Sequence, residues 1–306
     1  MKVSVVIPTY NRGNHVVRAV ESVIAQSYKD YEIIVVDDGS SDQTKALLEP
    51  YSDCIRYVHQ SNAGPASARN NGIRMAVGEW MAFLDSDDVW APNKLERQLS
   101  QCIGLNADLS FHDLSFPSFY GRDISSWNEY VHKEYLRTDC LKTGILDDAY
   151  HRMMTTAHIF LTTTFLAKRR AICDVGCFNE AFRTSEDLDL YFRLAARFRV
   201  AYVAEALAVY TPGSHRVTDS ERIHRDRIHA IRRSLEDRLK NQDMTLANSA
   251  REGLLQEVRS LAGFYRKSGS YCSTLRTYAN YFLMRLASFP RLLAHASSNA
   301  FAARVD

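Results

Sequence analysis

Apolar runs and amphipathic stretches alternate along the first half of the chain. Continuous apolar runs at Val3–Pro8 and Glu32–Asp37 predict strands that are buried on both faces of a parallel sheet. Apolar residues at helical spacing predict a helix over His15–Ser27 between them. Helices are then predicted over Gln43–Glu49 and Ala66–Val77, and strands over Ile55–Gln60 and Trp80–Leu84. This order predicts a doubly wound α/β sheet.

The second half of the chain is less regular until it becomes wholly helical. Strands are predicted over Ala107–Pro117, Thr162–Leu166 and Ala201–Tyr210, and a helix over Glu186–Phe198. Residues 118–156 lack periodicity and are interpreted as an insertion over one face of the sheet. Helices are then predicted over Thr218–Asn241, Leu246–Ser268 and Tyr271–His295. The pattern therefore predicts an α/β domain over residues 1–215 and a helical extension over residues 216–306.

Composition narrows the class of protein and its compartment. The 306 residues are 46% apolar and 24% charged, which is ordinary for a globular protein. No apolar run approaches the ~20 residues that span a bilayer, and the N-terminus predicts a first strand rather than a secretory signal. The six cysteines are scattered and without paired motifs, which is typical of reduced thiols. A cytoplasmic location is expected.

Charge separates the two predicted parts. Residues 1–212 carry 22 basic and 27 acidic side chains, whereas residues 213–306 carry 16 and 9. The last predicted helix, Tyr271–His295, has an apolar stripe with basic flanks. Two interpretations stay open: a packing face against the α/β domain, or peripheral contact with the anionic inner face of the plasma membrane. Nucleic-acid binding is not expected, because no recognised motif is present.

Polar residues cluster where three predicted strands end. These ends are Pro8–Asn11, Asp37–Asp38 and Asp85–Asp88, and in a parallel sheet they meet at the ligand-binding edge. No glycine-rich dinucleotide fingerprint and no P-loop follow the first strand, which disfavours those two classes. The carboxylates suit Mg²⁺ or Mn²⁺ bridging the phosphates of a nucleotide. Asp88 is expected to cap the helix that begins near Pro92.

Several segments in order resemble the family 2 glycosyltransferases, which have the GT-A fold. The resemblance covers about residues 2–215 and implies an inverting transfer of sugar from a nucleotide-diphosphate sugar. The motifs that carry it are Val3–Asn11, Val35–Thr44, Asn62–Gly72, Gly78–Trp90, Gly176–Glu180 and Glu186–Leu190. The expected fold is a Rossmann-like, mostly parallel sheet flanked by helices, with the helical extension added.

The resemblance implies roles for the residues on the donor side. Pro8, Tyr10 and Asn11 are expected to shape the nucleotide pocket. Asp38 is expected to bind the base, with Asp37 near it. UDP-sugars are the usual donors of the family, and dTDP- and GDP-sugars are the alternatives.

The resemblance also implies roles closer to the reacting atoms. Arg69 is expected near the pyrophosphate or the base, Asp85 near the ribose, and Asp87 on the divalent metal. Asp187 matches the catalytic base of the family, with Glu186 beside it. Independently, sugar transfer by direct displacement needs a base at the acceptor hydroxyl, and a carboxylate at a helix N-terminus stays ionised easily.

One departure and two alternatives accompany this interpretation. The family often places a histidine directly after the last strand, whereas His215 lies a residue or two later, so both a metal-binding and a surface role stay open. A nucleotidyltransferase would also use an aspartate pair and a metal on an α/β sheet, and a non-catalytic sugar-nucleotide-binding scaffold would share the fold. The expected acceptor is a glycan or a polyprenyl-linked saccharide of bacterial surface polysaccharide synthesis.

Overall fold

A computed structural model describes residues 1–119, 122–136, 139–155, 160–211, 220–270, 273 and 276–277. The chain divides into two units, Met1–Thr218 and Asp219–Asp306. The described strands are β1 (Val3–Thr9), β2 (Tyr31–Asp37), β3 (Ile55–His59), β4 (Trp80–Phe83), β5 (Val89–Trp90), β6 (Leu109–Phe119), β7 (Arg122–Ile124), β8 (Gly144–Ile145), β9 (Leu166–Lys168) and β10 (Val200–Val209). The helices of the first unit are α1 (Gly13–Ile24), α2 (Thr44–Leu48), α3 (Pro65–Met75), α4 (Lys94–Gly104), α5 (Trp127–Tyr130), α6 (Ala149–Thr155), α7 (Arg169–Asp174) and α8 (Glu186–Ala195).

The strands form one sheet in the order β3-β2-β1-β4-β9-β6-β10-β5, with β7 added on β6 and β8 on β10. β1 lies parallel between β2 and β4, so that Val3 is opposite both Tyr31 and Trp80. β9 is antiparallel to its neighbours β4 and β6, whereas β6 and β10 are parallel. The carboxyl ends of β1, β2 and β4 therefore meet at one edge, as the predicted α/β fold requires.

The core of the first unit is built on the central strand. Every residue of β1 is buried, because helices cover the faces of the sheet. Val16, Val20 and Val23 recur at helical spacing on α1 and are fully buried in the same cluster as β1. The β-branched runs that predict buried strands are therefore strands with both faces covered.

Two stretches differ from the sequence prediction. The strand predicted over Thr162–Leu166 is wrong in its first half, where Thr162–Thr164 forms a short 3-10 helix and β9 begins only at Leu166. The hydroxyl of Thr164 donates to the carbonyl of Leu161 at 2.8 Å, a local bond that competes with strand pairing. The aperiodic insertion contains β7, α5, β8 and α6, and β8 extends the main sheet.

The second unit contains two described helices, α9 (Ser220–Lys240) and α10 (Met244–Lys267). Asp243 caps α10 by accepting a hydrogen bond from the amide of Leu246 at 3.1 Å. Tyr265 joins the pair, because its hydroxyl donates to Glu221 at 2.6 Å. The third predicted helix falls almost wholly outside the described residues. Within those residues, no helix combines the length and the apolarity that crossing a bilayer requires.

Candidate active site

The loops after β1 and β2 are tied together by Asn11. Its amide donates to the hydroxyl of Ser40 at 2.8 Å, and its side-chain oxygen accepts from the amide of Ser41 at 2.8 Å. Pro8 is buried in β1, and Tyr10 is 49% exposed just beyond it. These predicted pocket residues therefore stand along one edge of the sheet.

Asp37 shapes the turn that follows β2. One of its carboxylate oxygens accepts from the amide of Ser40 at 2.8 Å, and the other accepts from the hydroxyl of Tyr57 at 2.5 Å. Burial, followed by the hydrogen bond to Asp37, raises the pKa of Tyr57, so the phenol stays protonated and keeps donating. The side chain of Asp37 is 1% exposed and is held by these two bonds.

Asp38 anchors the loop that leads into α3. Its carboxylate accepts from the side-chain amide of Gln60 at 2.8 Å and from the backbone amides of Ala63 at 2.9 Å and Gly64 at 2.8 Å. Three donors surround a group that is 5% exposed. The sequence resemblance assigns this carboxylate to the nucleotide base, and the structure shows it holding the loop between β3 and α3.

A buried arginine joins two separate parts of the site. The guanidinium of Arg69 on α3 donates to Asp85 at 2.8 Å and to Glu186 at 2.6 Å. The same guanidinium lies 5.5 Å from the centre of the Phe178 ring. Although burial opposes the charge, the two carboxylates raise the pKa of Arg69 above its ordinary value. The turn after β4 and the N-terminus of α8 are therefore held by one side chain.

The turn after β4 carries the paired aspartates. Burial and the nearby charge of Asp85 raise the pKa of Asp87, and an ion pair with Arg12 opposes that rise. Arg12 comes from the loop after β1, so residues about 75 positions apart meet here. Asp88 is fully buried and accepts from the amide of Thr211 at 3.2 Å. The expectation that Asp88 caps α4 is therefore wrong, because its carboxylate binds the segment after β10.

The first turn of α8 presents two adjacent carboxylates in different surroundings. Glu186 is 6% exposed and pairs with Arg69; burial raises its pKa, and Arg69 opposes that rise. Asp187 is only half-buried. Its carboxylate accepts from the amide of Leu188 at 2.8 Å and lies 3.4 Å from the hydroxyl of Thr162. Asp187 is thus the more accessible of the two carboxylates in the first turn of α8.

Asn70 is a site-building residue that the sequence patterns do not single out. Its side-chain oxygen accepts from the amide of Phe178 at 3.0 Å, and its amide group donates to the carbonyl of Phe178 at 2.9 Å and to Glu180 at 2.8 Å. The side chain is 7% exposed. Together with Arg69, it clamps the segment that leads to α8. Its place directly after Arg69, inside one of the recognised motifs, is the available sequence signal.

The metal site expected at Asp87 and His215 stays a prediction. In the part of the chain that the structure describes, no three His, Cys, Asp or Glu side chains are grouped to hold an ion. His215, and with it the expected metal or surface role, lies outside the described residues. The carboxylates of Asp85 and Asp87 fit a cation that takes its other ligands from phosphate oxygens and water, which is how Mg²⁺ is usually held.

Comparison with solved structures identifies the fold. Staphylococcus aureus TarS matches with a TM-score of 0.69 at 20% identity, over 96% of this chain and 50% of the TarS chain. A structure of TarS residues 1–349 with UDP-GlcNAc matches with a TM-score of 0.63. The fold is that of the GT-A glycosyltransferases, which confirms the predicted fold class.

Sequence comparison identifies the family. The family model described as glycosyl transferase family 2 matches residues 4–174, and the chain belongs to that family. An uncharacterised glycosyltransferase of Rickettsia typhi is 29% identical over 87% of this chain and 80% of the relative. Bacillus subtilis TuaG, whose name assigns it provisionally to teichuronic acid biosynthesis as a glycosyltransferase, is 35% identical over 47% of this chain and 58% of TuaG.

Family membership decides between the classes that the residues left open. The chain is an enzyme of the glycosyltransferase class, as the resemblance implies. The nucleotidyltransferase and the non-catalytic scaffold are not supported by these matches. The matched segment, residues 4–174, lies inside the first unit of the chain.

Proposed function

We propose that this enzyme transfers a sugar, with inversion, from a nucleotide-diphosphate sugar to a glycan or lipid-linked acceptor in the synthesis of a bacterial surface polysaccharide. The observation that carries the proposal is the Arg69 bridge, because it brings Asp85 and Glu186 to the two ends of one guanidinium. The donor side and the base side of a transfer site thereby lie next to each other. In this proposal, residues 1–215 form the catalytic domain and residues 216–306 the helical extension.

The donor is proposed to bind where the loops after β1, β2 and β4 meet. The structure of TarS with UDP-GlcNAc supports a UDP-sugar as the donor. Asn11 and Tyr10 stand beside this space, and Asp37 and Asp38 hold its walls rather than pointing freely into it. Their proposed role is therefore to fix the loops that contact the nucleotide.

Asp87 is proposed to hold a divalent metal at the diphosphate. Burial, followed by the nearby charge of Asp85, raises the pKa of Asp87 although Arg12 pairs with it. A bound Mn²⁺ or Mg²⁺ neutralises the charge that develops on a leaving diphosphate. His215 is a second proposed ligand, on the family pattern alone.

Asp187 is proposed as the base that removes the proton of the acceptor hydroxyl. Its place in the first turn of α8 favours a carboxylate that is free of its proton. Glu186 faces Arg69 in the interior, so we assign it a positioning role for the first turn of α8. General base catalysis of this kind contributes about 10²- to 10⁴-fold to the rate.

The cellular setting rests on relatives. The name of TuaG, which assigns it to teichuronic acid biosynthesis, supports a bacterial surface polymer as the product, and a cytoplasmic enzyme at the inner face of the plasma membrane fits such a product. The basic second unit supplies the proposed membrane contact. Several of its arginines are already paired with acidic residues of the same helix, which limits the charge left for lipid: Arg222 with Asp226, Arg225 with Glu221, and Arg238 with Asp237.

The test combines donor binding with turnover. UDP-, dTDP- and GDP-sugars are added with and without Mn²⁺, and the melting temperature is recorded, since a ligand of the folded state raises it. Metal-dependent stabilisation by one nucleotide class, lost in Asp87→Asn, is expected. Asp187→Asn should keep that stabilisation and lose about 10²-fold or more of the nucleotide-release rate.

The exposed Asp53 provides a matched control, because Asp53→Asn removes one carboxylate of the same unit outside the site. Asp53→Asn should leave both the donor-induced rise in melting temperature and the nucleotide-release rate unchanged. If no sugar nucleotide stabilises the wild type, the donor assignment is wrong. If Asp187→Asn turns over normally, the assignment of the base is wrong.

A further inference from the structure

An open depression of about 270 Å³ lies on the segment that follows β6. The polar side chains that line it are Asp123, Ser125, Ser126, Glu129, Tyr130 and Lys133. Its volume is just below the range of about 300–1,000 Å³ for pockets that enclose drug-sized ligands. It therefore has room for about one sugar ring with its substituents.

The floor of this depression is fixed by two buried side chains. Asp113 on β6 accepts from the hydroxyl of Ser126 at 2.5 Å and from the amide of Asn128 at 2.8 Å. Asn128 in turn exchanges two hydrogen bonds with the backbone of Leu141, at 2.9 and 3.0 Å. Because Asp113 and Asn128 are almost fully buried, the fold keeps the residues of the depression in place without a ligand.

A row of aromatic rings links the depression to the turn that carries Asp87. Tyr210 and Trp127 each lie 4.4 Å from Phe116 between ring centres, and Trp127 stacks on Tyr130 at 5.4 Å. Thr211, directly after Tyr210, donates to the carboxylate of Asp88. The row therefore runs from the proposed leaving-group side of the active site to the depression.

The side chains that line the depression favour a neutral ligand with several hydroxyl groups. The ring of Tyr130, which has Trp127 stacked against it, offers apolar surface to the C–H face of a pyranose, while the carboxylates of Asp123 and Glu129 line the same depression and suit its hydroxyl rim. Bonds from hydroxyls to ionised carboxylates are stronger than bonds between neutral groups. The side chains that line the depression include two carboxylates and one ammonium, and Lys133 already pairs with Glu129, which disfavours an anionic ligand.

We propose that this depression binds a sugar residue of the acceptor chain, next to or beyond the residue that receives the transferred sugar. The inference rests on the proposed function, since it names the acceptor subsite of the same reaction. Tyr130 supplies the stacking surface, Trp127 supports its ring from behind, and Glu129 accepts from the hydroxyls.

Fluorine NMR on protein labelled with 5-fluorotryptophan tests this subsite directly. The chain has three tryptophans; Trp80 and Trp90 are 1% and 3% exposed, so their signals are internal controls, and Trp127→Phe assigns the third. Chitotriose, cellotriose, maltotriose and mannotriose are titrated, alone and with UDP and Mn²⁺. A saturable shift confined to the Trp127 signal is expected with at least one of them.

Tyr130→Ala should weaken the apparent affinity about tenfold, and Glu129→Gln about three- to tenfold, whereas the exposed Glu49→Gln should leave it unchanged. Unshifted Trp80 and Trp90 signals will show that each variant is folded. The proposal is overturned if no saccharide moves the Trp127 signal, if all three signals move together, or if Tyr130→Ala binds as the wild type does.

Donor stabilisation in the same samples separates the two proposals. If sugar nucleotides raise the melting temperature but no saccharide shifts the Trp127 signal, only the subsite is rejected. If saccharides shift the Trp127 signal but no sugar nucleotide raises the melting temperature, the subsite is supported and the donor assignment is rejected.

Discussion

Replacing Gly72 by alanine should strain the contact between α3 and the central strand. A Cβ at this position would lie 2.4 Å and 2.8 Å from the two methyl groups of Val6, whereas carbon atoms in contact are normally about 3.5–4.0 Å apart. Val6 is fully buried, and β1 is hydrogen-bonded to β2 on one side and β4 on the other. Neither the methyl groups nor the strand can move by the required ångström without disturbing other contacts.

The magnitude follows from two opposing effects. Overpacking of a core costs about 1–3 kcal/mol, and the severity of this contact places it near the top of that range. Alanine in a helix is favoured over glycine by about 1 kcal/mol. The expected net loss in the free energy of unfolding is therefore about 2 kcal/mol, measured by urea denaturation. Donor binding should weaken as well, because α3 also carries Arg69 and Asn70.

Two further variants make the test specific. Gly104 ends α4 with open space around the position of a Cβ, so Gly104→Ala should be neutral or slightly stabilising. In Val6→Ala/Gly72→Ala the two methyl contacts are removed and only the Cβ of residue 6 stays close, at 3.2 Å, so the double variant should be more stable than the sum of the two single effects predicts. Strict additivity of the two single effects, or a Gly72→Ala protein as stable as the wild type, would refute the reasoning.

Three other side chains give separate predictions. Lys94 is fully buried, and burial lowers its pKa well below 10.5. In the unfolded chain Lys94 keeps its proton up to higher pH. The free energy of unfolding therefore rises with pH between the pKa of Lys94 in the folded chain and its pKa in the unfolded chain. Lys94→Met should be more stable at pH 7 in urea, with an advantage that shrinks toward pH 10.5; a constant advantage would contradict this. Asn70→Ala removes three hydrogen bonds and should cost about 2–4 kcal/mol and speed hydrogen exchange at the Phe178 amide; unchanged exchange would count against the clamp. Asp38→Ala leaves the Gly64 amide without its acceptor and should speed proteolysis of that loop; an unchanged cleavage rate would contradict the anchoring role.

The strands that build the site were predictable because their patterns are strong. β1, β2 and β4 are short apolar runs followed closely by polar residues, and their short length and content of β-branched and aromatic residues favour buried strands over helices. Parallel order then brings their carboxyl ends to one edge without further information. The expected meeting of these ends is realised in the ion pair between Arg12 and Asp87.

The partners of individual carboxylates were not predictable in the same way. Asp38 and Asp88 both follow apolar strands, yet one holds the loop before α3 and the other holds the amide of Thr211. The strand pattern predicts at which edge of the sheet a residue lies. Its hydrogen-bond partner depends on the position of a loop that is distant in the sequence. β9 and β5 illustrate the same limit, since strands of two or three residues are too short to show a period.

Backbone geometry at the two sides of the site explains why its loops escape pattern analysis. Asn11 and Ser185 both have positive φ, at 51° and 61°, a conformation that costs a non-glycine residue energy. At Asn11 the two hydrogen bonds to the loop after β2 offset that cost. Ser185 directly precedes Glu186, which Arg69 holds from α3. Each loop is thus fixed by a side chain reaching from another element, so that the positions of Tyr10 and Asp187 depend on contacts that no local sequence pattern contains.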